Sequence, residues 1–211
     1  PGEQLVVAHD DQPLVHQPEA ATQPPLAQTH AHLCHFLSKI MLFGFSGGSS
    51  RSDDGSFYRA SEKPYGAFSN LYRRPIEFEG EVFATSEHAY QAGKARKPEV
   101  RKWLLAAPSP ALLAMAAHGL YYWDIAPGWS KTKFDRMREV LRAKFTQHSD
   151  LQDLLLSTGE ARLVESATVD NEVNRLWGEV NGSGRNMLGI LLMEIREDLR
   201  LESAGYLEAA E

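Results

Sequence analysis

The apolar residues between positions 57 and 201 recur with two different periods, which together predict a mostly helical chain with a small β element. Residues 76–83 alternate apolar and acidic side chains around a glycine, which predicts a β-hairpin with its turn at Glu79-Gly80. Residues 131–147 show the other period. Their large apolar side chains lie three or four positions apart, as on one face of an amphipathic helix, at Phe134, Met137, Leu141 and Phe145.

Helix-capping residues and helix-starting prolines predict further helices. Thr85 or Ser86 caps one of them and Ser149 caps another, because a hydroxyl at that position accepts a hydrogen bond from the first turn. Pro98 and Pro110 each suit the first turn of a helix. The predicted helices span residues 86–94, 98–107, 110–119, 150–158 and 187–201.

The last predicted helix is strongly apolar at its start. Five of its side chains are expected to be buried: Leu188, Ile190, Leu191, Leu192 and Ile195. Residues 162–166 predict a short strand, and the polar, glycine-containing residues 170–186 predict a loop. Together these elements predict a mainly α protein of the α+β class, a compact single domain with a small β-hairpin.

The chain divides by composition into three parts. Residues 1–50 are rich in Pro, Gln, Ala and His without a sustained period, which predicts a poorly ordered N-terminal extension. Residues 51–203 carry the periodic segments and form the predicted domain, and residues 204–211 form a C-terminal tail. Met41 precedes a stretch of glycine and serine, and we take it as a candidate natural start of the protein.

Composition and charge exclude several classes of function. The 211 residues carry a net charge of −6, which argues against a broad basic surface for duplex nucleic acid. Cys34 is the only cysteine, so no intrachain disulfide and no cysteine zinc cluster can form. We predict no metal site and assign His30, His32 and His35 to the biased extension. No apolar run reaches the ~20 residues of a membrane helix, and we expect an intracellular protein, cytoplasmic or nuclear.

The most informative segment for chemistry is residues 85–94. Each residue of a helix turns by about 100°, so positions seven apart nearly coincide. Glu87 and Lys94 therefore share one face, with Tyr90 and Gln91 between them, and small residues occupy the opposite face. An acid and an amine in one cleft are equipped for acid/base or covalent chemistry. On these residues alone, a solvated helix surface remains the alternative.

Trp129 and Trp177 stand at the ends of predicted elements. Rings at such positions either stack on a planar ligand or anchor the core, and the sequence leaves both possibilities open. Arg185 and Asn186 precede a helix N-terminus, where backbone N–H groups bind phosphate, although a tight connection produces the same glycine pattern. On the long amphipathic helix, three cations are assigned to the solvated face: Lys131, Lys133 and Arg136.

Six short motifs follow one another along the chain: Tyr65-Gly66-Ala67-Phe68-Ser69-Asn70, Thr85-Ser86-Glu87-His88 with Gln91 and Lys94, Arg142-Ala143-Lys144-Phe145, Leu163-Val164-Glu165, Trp177-Gly178, and Asn186-Met187-Leu188-Gly189-Ile190-Leu191-Leu192-Met193. Their order and spacing resemble the NADAR family, which includes the YbiA-like N-glycosidases. The resemblance covers about residues 57–200 and implies a compact, mainly α-helical N-glycosidase fold. Members act on two substrate classes, phosphorylated early intermediates of riboflavin synthesis and ADP-ribose attached to guanine bases.

The resemblance also implies roles for the matching residues. Glu87 is implied as the proton shuttle and Lys94 as the amine nucleophile, which forms a Schiff base once the ribose ring opens. Trp129 and Trp177 would clamp a base or the adenine ring. The predicted substrate contacts are Phe68, Ser69, Asn70, Tyr90, Gln91, Trp129, Asp170, Asn174, Trp177, Gly178, Arg185 and Asn186.

Two departures from the family pattern bear on the substrate. Asn174 stands where the riboflavin-linked members have Asp, with Asp170 nearby as a substitute, and residues 120–128 are additional. We therefore predict hydrolysis of the bond between ADP-ribose and guanine, without a cofactor. The expected partner is ADP-ribosylated DNA, single-stranded or with an exposed base. The alternatives are an N-glycosidase on phosphorylated riboflavin-biosynthesis intermediates and a non-catalytic reader of ADP-ribose or NAD, and the oligomeric state stays open.

Overall fold

A computed structural model of the chain describes residues 56–57 and 63–208, with side chains of the last helix described to residue 205. The predicted N-terminal extension, residues 1–50, lies outside the described residues. The same holds for His30, His32 and His35, for Cys34 and for the candidate start at Met41.

Helices make up most of the described chain. They are α1 (Ser86–Ala92), α2 (Pro98–Leu105), α3 (Pro110–His118), α4 (Trp129–Gln147), α5 (Ser149–Ser157), α6 (Glu172–Trp177) and α7 (Met187–Glu208), with short 3-10 helices at Tyr65–Phe68 and Tyr122–Asp124. The strands are β1 (Ser56–Phe57), β2 (Ile76–Phe78), β3 (Glu81–Phe83), β4 (Val164–Ala167) and β5 (Glu179–Val180). The predicted mainly α, α+β class is confirmed.

The predicted hairpin is the antiparallel pair β2–β3. Ile76 pairs with Phe83, and Phe78 pairs with Glu81. Glu79 and Gly80 form the turn with φ angles of 53° and 77°, the left-handed conformation that a two-residue hairpin turn requires. The alternation of apolar and acidic residues therefore identified both the strands and the turn.

A second sheet joins three short parallel strands in the order β1-β4-β5. The central strand, β4, is the one that the sequence predicts. Two-residue strands such as β1 and β5 are too short to show a period, so the sequence contains no signal for them. Parallel partners on both sides hold the backbone of Glu165, which pairs with Phe57, and of Ser166, which pairs with Glu179.

Several boundaries differ from the sequence expectations. α4 begins at Trp129 rather than at residue 131, because Gly128 adopts a left-handed φ of 77° just before it. The predicted loop 170–186 contains α6, whose N-cap Asn171 accepts a hydrogen bond from the backbone of Asn174 at 2.8 Å. Ser149 is the first residue of α5 rather than its cap. α7 continues past residue 201 to Glu208, into the predicted C-terminal tail.

Ile190 was expected in the core and is 36% exposed. It lies about 200° around the helix from Leu188, whereas Leu191, Leu192 and Ile195 return to within roughly 60° of Leu188. Those three residues and Leu188 are buried as predicted. An apolar run longer than one helical face necessarily leaves one member on the outer side.

Within the described part of the chain, two clusters of buried side chains contribute to the core. The larger one lies where α4 and α7 pack together and includes Leu141, Phe145, Leu192 and Ile195. The smaller one packs the hairpin and α4 against α1 through Ile76, Phe83, Ala89, Ala92 and Val140. The small face predicted for α1 is therefore its packing face.

Lys144 is a basic residue buried in the core, with 1% of its surface exposed. Its Nζ donates hydrogen bonds to the carbonyl oxygens of Ala67 and Ser69, the latter at 3.0 Å. These bonds anchor the segment that leads to Asn70. Burial lowers the pKa of Lys144 to about 7.

Among the residues that the structure describes, no helix is both long and apolar enough to cross a membrane. Within the same residues, no group of three or more His, Cys, Asp or Glu side chains is arranged to hold a metal ion.

The role of Lys144 as an anchor can be tested with Lys144→Met. The change leaves two buried carbonyl groups without a donor, and each loss of this kind costs about 1–3 kcal/mol. We expect the free energy of unfolding, measured with urea at neutral pH, to fall by about 2–4 kcal/mol. Lys131→Met, at an exposed position of α4, is the matched control and should unfold like the wild type.

The lowered pKa of Lys144 adds a pH dependence to this comparison. The unfolded lysine keeps its proton to about pH 10.4, whereas the folded one loses it near pH 7. Between these values the unfolded state binds more protons, so stability rises with pH. From about pH 7 to 9, the stability of the wild type should therefore rise more steeply than that of Lys144→Met. Parallel curves would contradict the lowered pKa.

Candidate active site

A cavity of about 800 Å³ lies beside α1. Small-molecule sites have volumes of roughly 300–1,000 Å³, so its size suits a ligand of that kind. The wall is formed by α1, α4, β4, α6 and the segment around Asn70. Of the residues predicted for the site, the cavity is lined by Ser69, Asn70, Glu87, Tyr90, Gln91, Lys94, Trp129, Asn174 and Trp177.

The N-terminus of α1 is fixed by its own cap and by a neighbouring segment. Thr85 is the N-cap, and its hydroxyl oxygen accepts a hydrogen bond from the backbone of His88 at 3.4 Å. The backbone N–H of Glu87 donates to the carbonyl oxygen of Asn70 at 3.1 Å. This bond brings Glu87 and Asn70 to the same part of the cavity wall.

The C-terminus of α1 is held by Arg136 of α4. The guanidinium donates to the carbonyl oxygens of Ala89 and Tyr90, each at 3.2 Å from Nε, and a cation at this end complements the helix dipole. It also forms a two-bond pair with Glu79 of the hairpin turn at 2.8 and 2.9 Å. A Cβ on Gly93 would overlap the guanidinium. The assignment of Arg136 to the solvated face was wrong, because the polar helix termini it binds lie within the fold.

Lys94 follows α1 by two residues and still lines the cavity beside Glu87. Its backbone N–H donates to the carbonyl oxygen of Gln91 at 3.0 Å, and its own carbonyl oxygen accepts from Ala126 at 2.8 Å. Its Nζ donates to the carbonyl oxygen of Ala117 at 2.5 Å. The additional residues 120–128 thus support the lysine directly.

Burial shifts the pKa of both predicted catalytic groups toward neutrality. Desolvation raises the pKa of Glu87 to about 7, against the opposing effects of the Gln91 hydrogen bond and the Lys94 charge. Desolvation lowers the pKa of Lys94 to about 8, with the Glu87 charge opposing it and the Lys133 charge adding to it. Acid and amine catalysts require such values, since each must gain and lose a proton near the working pH.

Two buried amide oxygens in the wall lack a hydrogen-bond partner among the described residues. The amide nitrogen of Gln91 donates to Glu87 at 2.8 Å, and that of Asn70 donates to the Met137 sulfur at 3.0 Å. Their oxygens, Oε1 of Gln91 and Oδ1 of Asn70, stay unpaired. Since unpaired buried acceptors are costly, these two are suited to accept hydrogen bonds from a ligand.

Aromatic rings form one side of the cavity. The ring of Tyr90 lies 5.1 Å from that of Trp129 and 5.7 Å from that of Trp177, and Phe134 lies 5.5 Å from Trp177. Both tryptophans pack against the main core and also line the cavity. Burial raises the pKa of Tyr90, which keeps its phenol protonated. These rings can stack on a planar ligand.

Three of the predicted substrate contacts, Phe68, Gly178 and Asn186, lie outside the lining and support the architecture. Phe68 is fully buried in the main core. The side chain of Asn186 accepts from the backbone of Glu165 at 3.0 Å and donates to the Leu163 carbonyl at 2.8 Å. A Cβ on Gly178 would overlap the carbonyl oxygen of Glu165. Packing against β4 accounts for these positions.

Asp170 and Arg185 also lie outside the lining, on the surface. Asp170 forms an exposed two-bond pair with Arg175 at 2.6 and 2.7 Å, which turns its carboxylate to a neighbour on α6. The Arg185 guanidinium lies 6.0 Å from the centre of the Phe134 ring. Its charge acts on Lys133, so it remains close to the cavity.

Lys133, Glu165 and His118 line the cavity and were not among the predicted site residues. The position of Lys133 in the cavity wall could have been predicted from its spacing in the sequence. It lies four positions from both Trp129 and Met137 and hence on their helical face. Its assignment to the solvated face was wrong. Glu165 carried no signal from spacing, since its neighbours come from distant parts of the chain. Desolvation raises the pKa of Glu165 to about 7, and the Glu87 charge adds to this shift.

Comparison with known proteins places this chain in a family. The model of the NADAR domain matches residues 56–200. The N-glycosidase YbiA of Shigella flexneri is 40% identical over 148 residues, which are 70% of this chain and 89% of that protein. The NMR structure of the E. coli protein YbiA matches with a TM-score of 0.62 at 39% identity, covering 71% of this chain and 86% of that one. The riboflavin biosynthesis protein VVA0006 of Vibrio vulnificus is 33% identical over 71% of this chain and 39% of that protein.

The coupling between charges in the cavity can be measured on Lys94. Glu87→Gln removes the anion that holds the proton on the ammonium, so the pKa of Lys94 should fall below about 8. Lys133→Met removes a repelling cation and should raise it. Carbon-13 NMR titration of the lysine side chains would measure both shifts, with exposed Lys131 as the internal reference. If Lys94 titrates identically in both variants and the wild type, the three groups do not interact.

Proposed function

The chain belongs to the NADAR family, and from this premise we propose that it is an N-glycosidase that hydrolyses the bond between ADP-ribose and guanine. The observation that carries the proposal is the juxtaposition of Glu87 and Lys94 in one cavity. Both groups titrate near neutral pH there. The relatives named N-glycosidase support the reaction class, and the substrate within that class is our inference.

The proposed reaction begins with protonated Glu87. It donates its proton to the ribose ring oxygen, and the ring opens as the nitrogen of the base shares its electron pair with the anomeric carbon. Neutral Lys94 then attacks that carbon. The bond to the base breaks as the base nitrogen takes up the proton that the Lys94 nitrogen loses, which leaves a protonated Schiff base between Lys94 and the sugar and Glu87 as a carboxylate. Water hydrolyses this adduct and regenerates the amine.

The walls of the cavity support a nucleotide-like substrate. Trp129 and Trp177 offer faces for a planar ring, and the unpaired oxygens of Asn70 and Gln91 accept hydrogen bonds from N–H or O–H groups. Lys133 adds a positive charge that suits phosphate. A guanine within DNA reaches such a cavity when it is unpaired or turned out of the stack, so single-stranded DNA is the proposed partner.

Asn174 favours ADP-ribosylated guanine over the alternative substrate. It lines the cavity where the riboflavin-linked members have Asp, and its amide nitrogen donates to the Val169 carbonyl at 2.7 Å. Asp170, which could have replaced that acid, is paired with Arg175 on the surface. A phosphorylated riboflavin precursor remains the second candidate, because relatives include a riboflavin biosynthesis protein.

Borohydride trapping tests the proposed Lys94 adduct. Reduction during turnover of an ADP-ribosylated guanine oligonucleotide should attach the sugar to Lys94, visible as a mass gain on its peptide. Lys94→Ala should give no adduct and lose at least about 100-fold in rate, while Lys131→Ala should behave as the wild type.

A parallel incubation with phosphorylated riboflavin precursors identifies the better substrate. Turnover without any adduct would reject the Schiff base, and ADP-ribose binding without turnover of either substrate would indicate a reader.

The pH dependence of the rate tests the paired roles of Glu87 and Lys94. A reaction that needs protonated Glu87 and neutral Lys94 has a bell-shaped profile, with limbs near pH 7 and pH 8. In Glu87→Gln the group that must keep its proton is gone, whereas Lys94 and Glu165 still titrate. The residual rate of this variant should therefore climb with pH and then level off, without the alkaline decline of the wild type. Persistence of that decline in Glu87→Gln would assign the alkaline limb to another group.

A further inference from the structure

Glu165 faces the cavity without a role in the steps described above. It belongs to the central strand β4, with β1 and β5 paired on either side. Its backbone N–H donates to the side chain of Asn186 at 3.0 Å, and Gly178 packs so closely on its carbonyl that a Cβ would not fit. The backbone of Glu165 is therefore held on several sides, and its side chain starts from a fixed point.

The carboxyl group of Glu165 differs from two neighbouring acids of the fold, Glu87 and Glu179, in having no partner in the described part of the chain. Among the described residues it has neither a hydrogen-bond partner nor a salt-bridge partner, whereas Glu87 accepts from Gln91 and Glu179 pairs with Arg162. It is close enough to Glu87 for that charge to act on it. A half-buried carboxyl group without a partner, on the wall of the same cavity as the reacting pair, is free to exchange protons with substrate or water.

The proposed reaction has a step that needs a group of this kind. Hydrolysis of the Lys94 adduct requires a base that takes a proton from the attacking water. Glu87 has given its proton to the ring oxygen by then, but its carboxylate is engaged by a hydrogen bond from Gln91. In inverting glycosidases one carboxyl group acts as the acid and a second one activates water as the base, and unlike environments assign such roles.

We propose that Glu165 is a second catalytic carboxylate, which activates the water that hydrolyses the adduct between Lys94 and the sugar. This inference rests on the proposed N-glycosidase function and deepens it. It assigns Glu87 to formation of the adduct and Glu165 to its breakdown. Burial supports the assignment, because it raises the pKa of Glu165 and makes the carboxylate a stronger base.

Glu165 takes up and returns protons in this step while the water oxygen bonds to the sugar. The carboxylate of Glu165 takes a proton from water while the water oxygen bonds to the carbon of the protonated Schiff base, whose C=N electron pair moves to the Lys94 nitrogen. Glu165 returns that proton to the nitrogen. The carbon–nitrogen bond then breaks as the new hydroxyl gives its proton to Glu165. The products are the sugar aldehyde, the neutral amine of Lys94 and protonated Glu165.

Rapid mixing of the full chain with an ADP-ribosylated guanine oligonucleotide, or with the riboflavin precursor if that is the substrate, tests the assignment. In Glu165→Gln the first equivalent of base should be released at nearly the wild-type rate, followed by turnover about 100-fold slower. The borohydride-trapped adduct on Lys94 should accumulate to most of the enzyme. Glu87→Gln should show the reverse, with slow first release and little adduct. Glu172→Gln, an exposed acid on α6, is the matched control and should resemble the wild type.

A smaller variant separates a chemical role from a structural one. In Glu165→Ala, added formate should restore the slow phase in part, because it supplies the missing carboxylate, and it should have no effect on Glu87→Gln. Two results for Glu165→Gln would overturn the role of Glu165 and leave the proposed function intact. One is unchanged turnover, and the other is a release of the first equivalent of base that is slowed as much as overall turnover. Failure of the wild type to release base from either substrate would overturn the proposed function and this role with it.

Discussion

Every residue of α1 is buried, because much of the surrounding structure packs around this short helix. A helix of this length is not stable alone, because nucleation costs more than a few hydrogen bonds return. Thr85 caps its start, Arg136 binds its last carbonyl groups, and the hairpin packs against Ala89 and Ala92. The contacts that make α1 possible also fix the direction in which Glu87 points.

The same burial produces the chemistry of the cavity. In water a carboxyl group ionises near pH 4 and an amine near pH 10, so that at neutral pH neither is in the state that covalent catalysis needs. Removal from solvent raises the pKa of Glu87 to about 7 and lowers the pKa of Lys94 to about 8. Burial disfavours the charged form of each group, and both groups are reactive for that reason. Packing and catalysis here share one cause.

The remaining walls come from parts of the chain that are far apart in sequence. Residues 120–128 bond to the backbone of Lys94 and bring Ile125 to the cavity, while the three-stranded sheet brings Glu165. Buried Lys144 anchors the segment that carries Asn70. Through these contacts Lys94, Glu165 and Asn70 meet at the cavity beside α1. The polar groups left unpaired are the ones that a substrate can satisfy.

The sequence by itself determined the local features. Periods of two and 3.6 residues and a cap at Thr85 are properties of neighbouring residues, so the hairpin and α1 were predictable. Lys94 lies two residues beyond the end of α1 and meets Glu87 in the cavity wall rather than on one helical face. Only the tertiary structure decided which polar residues meet. It brought Glu165 and Lys133 into the cavity, left Asp170 on the surface and buried Arg136 and Lys144 against backbone carbonyls. Burial and charge coupling arise from contacts between segments that are distant in the sequence. The spacing of neighbouring residues therefore does not predict them.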